Sequence, residues 1–109
     1  MKSIKNKIIR GKIHMKIKSV VIDKYSELYP LSFMKCESFG EVEYKIERSI
    51  ALGQTIKRTE NERHVQYYHN CFILKGNVVV DMYKNLSKCV DVRKSVKNAY
   101  DWKAGKAIV

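Results

Sequence analysis

Proline occurs once in this chain, at position 30, cysteine three times and glycine five times, and no stretch stays apolar for long. These shortages exclude several classes. A membrane-spanning helix needs about 20 consecutive apolar residues, and the lysine-rich beginning is not followed by an apolar run long enough for a secretory signal. No membrane partner is expected, and a soluble, cytoplasmic protein is. Cys36, Cys71 and Cys89 show no CxxC spacing, and an odd number leaves at least one thiol outside any intrachain pair, so a reducing compartment is the simpler setting. The glycines, at 11, 40, 53, 76 and 105, fit neither GxGxxG nor the P-loop pattern and read as punctuation. There is no HExxH, and His64 and His69 lie five apart in a stretch read as strand, where they point to opposite faces. No metal and no other cofactor is expected.

Acidic residues are scarce where basic ones gather. The net charge is +11. Residues 1–18 carry seven basic side chains and no acidic one, residues 19–83 carry eight and nine, and residues 84–109 carry seven and two. The excess therefore sits at the two ends of the chain. That distribution suits a polyanionic partner, because each phosphate neutralised by Lys or Arg releases counterions and drives association.

At 109 residues the chain reads as one domain, able to bury about two-thirds of its unfolded surface without disulfide or metal. Residues 1–11 read as a short amphipathic turn or a mobile basic arm, and Met15 offers a second start. Lys12 to Ile22 alternates, with Ile13, Met15 and Ile17 on one side and Lys12, His14, Lys16 and Lys18 on the other, which predicts a half-buried strand. Asp23 is placed to cap a short helix ending before Pro30, and residues 31–37 carry no clear signal. Ser38 and Glu41 have capping-box spacing, Phe39, Val42, Ile46 and Ile50 recur at helical intervals, and Gly53 is placed to stop that helix. A short strand over 54–58 follows, with a turn at Glu60-Asn61 that sets Ile56 beside Val65.

Residues 63–83, RHVQYYHNCFILKGNVVVDMY, form the strongest strand signal. With Gly76-Asn77 as a two-residue turn, Cys71 faces Met82 and Ile73 faces Val80. One side is then apolar, interrupted by His69. The other carries His64, Gln66, Tyr68, Asn70, Phe72, Asp81 and Tyr83. Cys89 to Val92 adds a further strand, and Asp91 caps a last helix over 93–104 with Val96, Ala99 and Tyr100 inward and Arg93, Lys94, Lys97 and Lys103 outward. The expected fold is α+β, a small antiparallel sheet of four to five strands with two helices on one face and the other face open.

Aromatic rings on an open sheet face can stack on bases while lysines hold the backbone. The leading reading is a non-enzymatic nucleic-acid-binding protein, for RNA or DNA or another phosphate-bearing ligand. Its expected contacts are Lys12, Lys16, Lys18, Arg58, Arg63, His64, Tyr68, Asn70, Tyr83, Lys94 and Lys97. A second reading is metal-independent RNA cleavage, which needs a base, an acid and a cation; His64, His69, Arg63 and Tyr83 are the candidates. The helix followed by a basic antiparallel meander resembles, in topology alone, the small ribonuclease toxins of toxin-antitoxin systems. A third reading is a mobile-element or phage accessory protein that inhibits a nucleic-acid-handling enzyme or sequesters a nucleotide, and so has a protein partner. Exposed edge strands also suit a homodimer.

Overall fold

The computed structural model describes residues 15–105. The expectations for residues 1–11 and for Lys12 and His14 lie outside them. In chain order the elements are β1 (Lys16–Ile17), α1 (Ser19–Leu28), α2 (Pro30–Met34), α3 (Phe39–Leu52), β2 (Gln54–Arg58), β3 (Arg63–Tyr67), β4 (Asn70–Lys75), β5 (Val78–Lys84) and α4 (Lys94–Lys103). The strands form one sheet in the order β1-β5-β4-β3-β2, antiparallel except for the parallel pair β1/β5. This is the expected α+β architecture.

Helix α1 begins four residues before Asp23, and among the described residues of the strand expected over 12–22 only Lys16–Ile17 is strand, with Ser19 onward helical. The reason is spacing: Val21 and Tyr25, both buried, stand four apart and meet the core together only on a helix. Tyr29 ends α1, and Pro30 then opens α2 at a position where its missing N–H costs nothing. Helix α3 starts as its sequence foretells, with Ser38 Oγ accepting from the Glu41 N–H at 3.3 Å. It buries Val42, Ile46 and Ile50. Gly53 does end it, but with φ −76° and not in the left-handed region. A Cβ there would lie 2.6 Å from the Gln66 carbonyl and 2.7 Å from that of Ser49, so glycine is required by the close passage of β3.

The central stretch departs from its expected register. Residues 63–75 are two strands, because Tyr68-His69 forms a two-residue turn with Tyr67 opposite Asn70. Tyr68 takes φ 56°, doing there what Gly76 does with φ 60° in the next hairpin. Nothing in the pair Tyr-His announces a turn, so the alternation was carried straight through it. The phase of β4 is reversed as a result. Phe72 pairs with Val65 and Met82 in the core, while Cys71 pairs with Tyr83 on the opposite face. A bulge at Val80 shifts the β4/β5 pairing, so Ile73 faces Asp81 instead of Val80. A second bulge at Ile56 sets Thr55 opposite Val65.

Val21 and Tyr25 from α1, Val42, Ile46 and Ile50 from α3, and Val65, Phe72, Leu74, Val79 and Met82 from the sheet make the core. The helices covering the sheet are thus α1 and α3. Helix α4 buries no residue, and its Val96 and Ala99, expected inward, are exposed. Its N-cap is Arg93 without a side-chain hydrogen bond, since Asp91 accepts from the Cys89 thiol instead. The strand expected over 89–92 is a single bridge, Val90 to Tyr68.

Candidate nucleic-acid interface

Two ends of the sheet must be distinguished. The registers Lys16↔Val78, Lys75↔Val78, Arg63↔Leu74 and Arg58↔Arg63 set Lys16, Lys75, Arg63 and Arg58 along one end. Lys18 follows there, its N–H donating to the Val79 carbonyl. Glu60 and Glu62 lie in the turn between Arg58 and Arg63, so this end carries both signs.

The other end is built around the Tyr68-His69 turn. Gln66, with no exposed surface, holds it together: Nε2 donates to the Tyr68 and Lys88 carbonyls at 2.7 Å each, and Asn85 Nδ2 donates to Oε1 at 3.3 Å. Gln66, read as an outward recognition residue, is therefore an internal tie between the hairpin and residues 85–88. His69, read as inward, sits in the turn with Nδ1 2.9 Å from the Lys88 carbonyl and 3.1 Å from that of Asn85. Residues 85–90 thus cover the sheet face opposite the helices near the turn, and Gln66 and Cys71 are buried beneath. The open face expected there is closed at this end.

The chain then reaches α4, whose placement is set by two contacts. Asp101 accepts from Tyr44 Oη at 2.6 Å and from Arg48 Nη1 at 2.9 and 3.1 Å, fastening α4 to α3. Burial, followed by the hydrogen bond to Asp101, pushes the Tyr44 phenol well above its ordinary value, so it stays a donor. Lys97, expected outward, donates to Tyr68 Oη at 2.9 Å with its ammonium 5.1 Å from the ring centroid. Tyr68 Oη in turn donates to the Val92 carbonyl at 3.0 Å. The Tyr68 hydrogen bond, chief among the causes, raises Lys97 further and keeps it charged. Tyr68 is engaged as a strut under α4 instead of standing free on a sheet face.

What α4 leaves outside is uniform in sign. Its acidic residue, Asp101, is turned inward, while Arg93, Lys94 and Lys103 are exposed and Trp102 is 74% exposed. Lys84, exposed and 4.8 Å from the Tyr29 ring centroid, and Lys88 add charge at the same end. Trp102 was missed by the sequence reading. Its signal was present: the sole tryptophan, four residues after Asn98 and seven after Ser95, on a stripe with no core residue.

Of the remaining candidates, His64 and Tyr83 meet on the face away from the helices. His64, 8% exposed, has Nδ1 2.9 Å from Tyr83 Oη and Nε2 3.1 Å from Glu62 Oε1. Tyr83 is 37% exposed and belongs, through Cys71↔Tyr83, to the end of the sheet that carries α4. Arg63, on the helix-facing side with Val65, is not brought to His64. Asn70 pairs with Lys84 instead of facing Tyr83, and its Oδ1 is buried without a partner. Among the described residues no group of His, Cys, Asp and Glu is placed to hold a metal, and no helix is long and apolar enough to cross a membrane. No family model, curated protein or solved structure matches the chain.

Proposed function

We propose that the protein binds nucleic acid, with single-stranded RNA as the preferred form, through the outer face of α4 and the loop that leads to it. One observation carries this reading. The acidic residue of α4 is consumed by Arg48 and Tyr44, which leaves Arg93, Lys94 and Lys103 exposed on the helix that carries an exposed Trp102, with exposed Asp91 in the loop before them. Cations on such a surface hold phosphates, and a protruding indole stacks on any unpaired base. A duplex keeps its bases stacked on one another and offers the ring much less, which favours single strands. Among the residues expected to bind, Lys94 belongs to this surface, while Lys97 is turned inward onto Tyr68. Lys16, Lys18, Arg58 and Arg63 lie at the opposite end of the sheet and are assigned a secondary role.

Charge neutralisation at each end separates these roles. Binding of a short RNA to the Lys94→Gln/Lys103→Gln variant should be weaker than wild type, and log K should fall less steeply with log salt, by about 0.7 per lost phosphate contact. The Lys16→Gln/Lys18→Gln variant should keep nearly the wild-type slope. The reverse result would move the site to the β1 end, and salt-independent binding would remove the proposal.

A further inference from the structure

The line Glu62, His64, Tyr83 crosses the sheet face away from the helices and has a chemical order. His64 is buried with both ring nitrogens occupied, so no ligand can reach it. Tyr83 is the more exposed of the two and presents its hydroxyl at the end of the line. A carboxylate beside Nε2 fixes the tautomer with the proton on Nε2 and leaves Nδ1 as acceptor for the Tyr83 O–H. This is the logic by which a carboxylate and an imidazole activate a hydroxyl, with a phenol at the outer position. Burial, followed by the neighbouring Cys71 thiol, holds the phenol above its ordinary value, so the hydroxyl is present at neutral pH. Lys57, exposed and opposite His64 in the β2/β3 register, puts a cation on the same face.

We propose that Tyr83 is a catalytic residue for cleavage of RNA, acting on the ribose 2′-hydroxyl, with His64 and Glu62 as positioning residues. This rests on the RNA-binding reading above. The 2′-hydroxyl proton passes to the Tyr83 oxygen as Tyr83 passes its own to His64 Nδ1, and the imidazolium so formed is held by Glu62. The O2′–P bond forms and the P–O5′ bond breaks, the charge on phosphorus developing on the face that Lys57 shares with His64. The departing O5′ takes a proton from water, and the imidazolium returns its proton through Tyr83 to solvent. The products are a 2′,3′-cyclic phosphate and a 5′-hydroxyl. No metal and no redox partner enters the balance.

The test is a labelled single-stranded RNA and the DNA of the same sequence, each incubated with the full chain in EDTA, with binding measured on the same samples. The wild type should cut RNA and leave DNA intact, and Tyr83→Phe should lose roughly 100-fold or more in rate, a loss much larger than any change in its affinity for RNA. Glu62→Gln should slow cleavage while leaving RNA binding unchanged, and Glu62→Asp, which keeps the carboxylate, should restore part of the rate. His64→Ala should recover cleavage when imidazole is added. RNA that is bound but not cut, or cut equally well by Tyr83→Phe, overturns the cleavage proposal and leaves the binding reading standing. Absence of binding and of cleavage together overturns both.

Discussion

Gln66 is wholly buried, yet its amide reaches two backbone carbonyls and accepts from Asn85. Replacing it with Leu keeps the volume but removes three hydrogen bonds: the Tyr68 and Lys88 carbonyls keep the Val90 N–H and His69 Nδ1, while Asn85 Nδ2 loses its acceptor. Three hydrogen bonds lost at about 0.5–1.5 kcal/mol each mean that Gln66→Leu should lose roughly 2–4 kcal/mol in urea unfolding and expose residues 85–90 to hydrogen exchange. An unchanged midpoint would contradict the tie. Gly53 is a second single-residue constraint. The carbonyls of Gln66 and Ser49 are backbone and cannot step aside, so Gly53→Ala should cost about 1–3 kcal/mol. Asp81 answers to pH. The hydrogen bond from Lys24, the largest cause, holds its carboxyl below the usual 3.8. A depressed folded value means stability present above the unfolded value and lost as pH falls through the folded one. Lys24→Met should therefore be less stable than wild type at neutral pH, with the gap closing in acid as Asp81 protonates. A gap that persists in strong acid would assign the loss to packing.

At the scale of the element, α4 is held by side-chain chemistry instead of an apolar stripe. It buries no residue, and its hold on α3 runs through Asp101 with Tyr44 and Arg48. Removing one partner of a largely buried pair leaves a charge without compensation. Asp101→Ala should raise the exchange rates of α4 amides before the sheet unfolds, at a cost of about 2 kcal/mol, and an α4 that stays protected would show that other contacts carry it. This explains why α4 was legible in part. Its position followed from helical spacing, and so did Tyr100, whose ring lies 6.0 Å from that of Tyr44, but the rest of its inward face did not, because Val96 and Ala99 look like core residues and Lys97 and Asp101 do not. Helix α3 was legible except at Phe39, expected on the stripe but 69% exposed; its cap, the rest of its stripe and its stop agree along one local stretch. The β3/β4 hairpin was not. Its turn is a tyrosine in a left-handed conformation, imposed by the bonds of Tyr68 to Val90, Val92 and Lys97, all at least 22 residues away. A turn made by tertiary contacts leaves no glycine to read.

For the whole molecule, the net charge of +11 conceals a division. One end of the sheet mixes Lys16, Lys75, Arg58 and Arg63 with Glu60 and Glu62, and the other presents exposed Lys84, Lys88, Arg93, Lys94 and Lys103 beside exposed Asp91. The sum and its bias toward the chain ends were visible in the sequence; which cations share a surface was not, because that depends on the phase of β4 and on where residues 85–93 return. Of the expected contacts, the fold gathers Lys94, Lys97, Tyr68 and Tyr83 at the α4 end and sets Lys16, Lys18, Arg58 and Arg63 apart. Trp102 is the sole tryptophan of the chain, so its fluorescence reports on that surface alone. The most direct measurement is emission during titration with a short single-stranded RNA at several salt concentrations. The account predicts strong quenching that saturates with binding and weakens together with affinity as salt rises. Binding that leaves the emission unchanged would place the nucleic acid elsewhere and contradict the account.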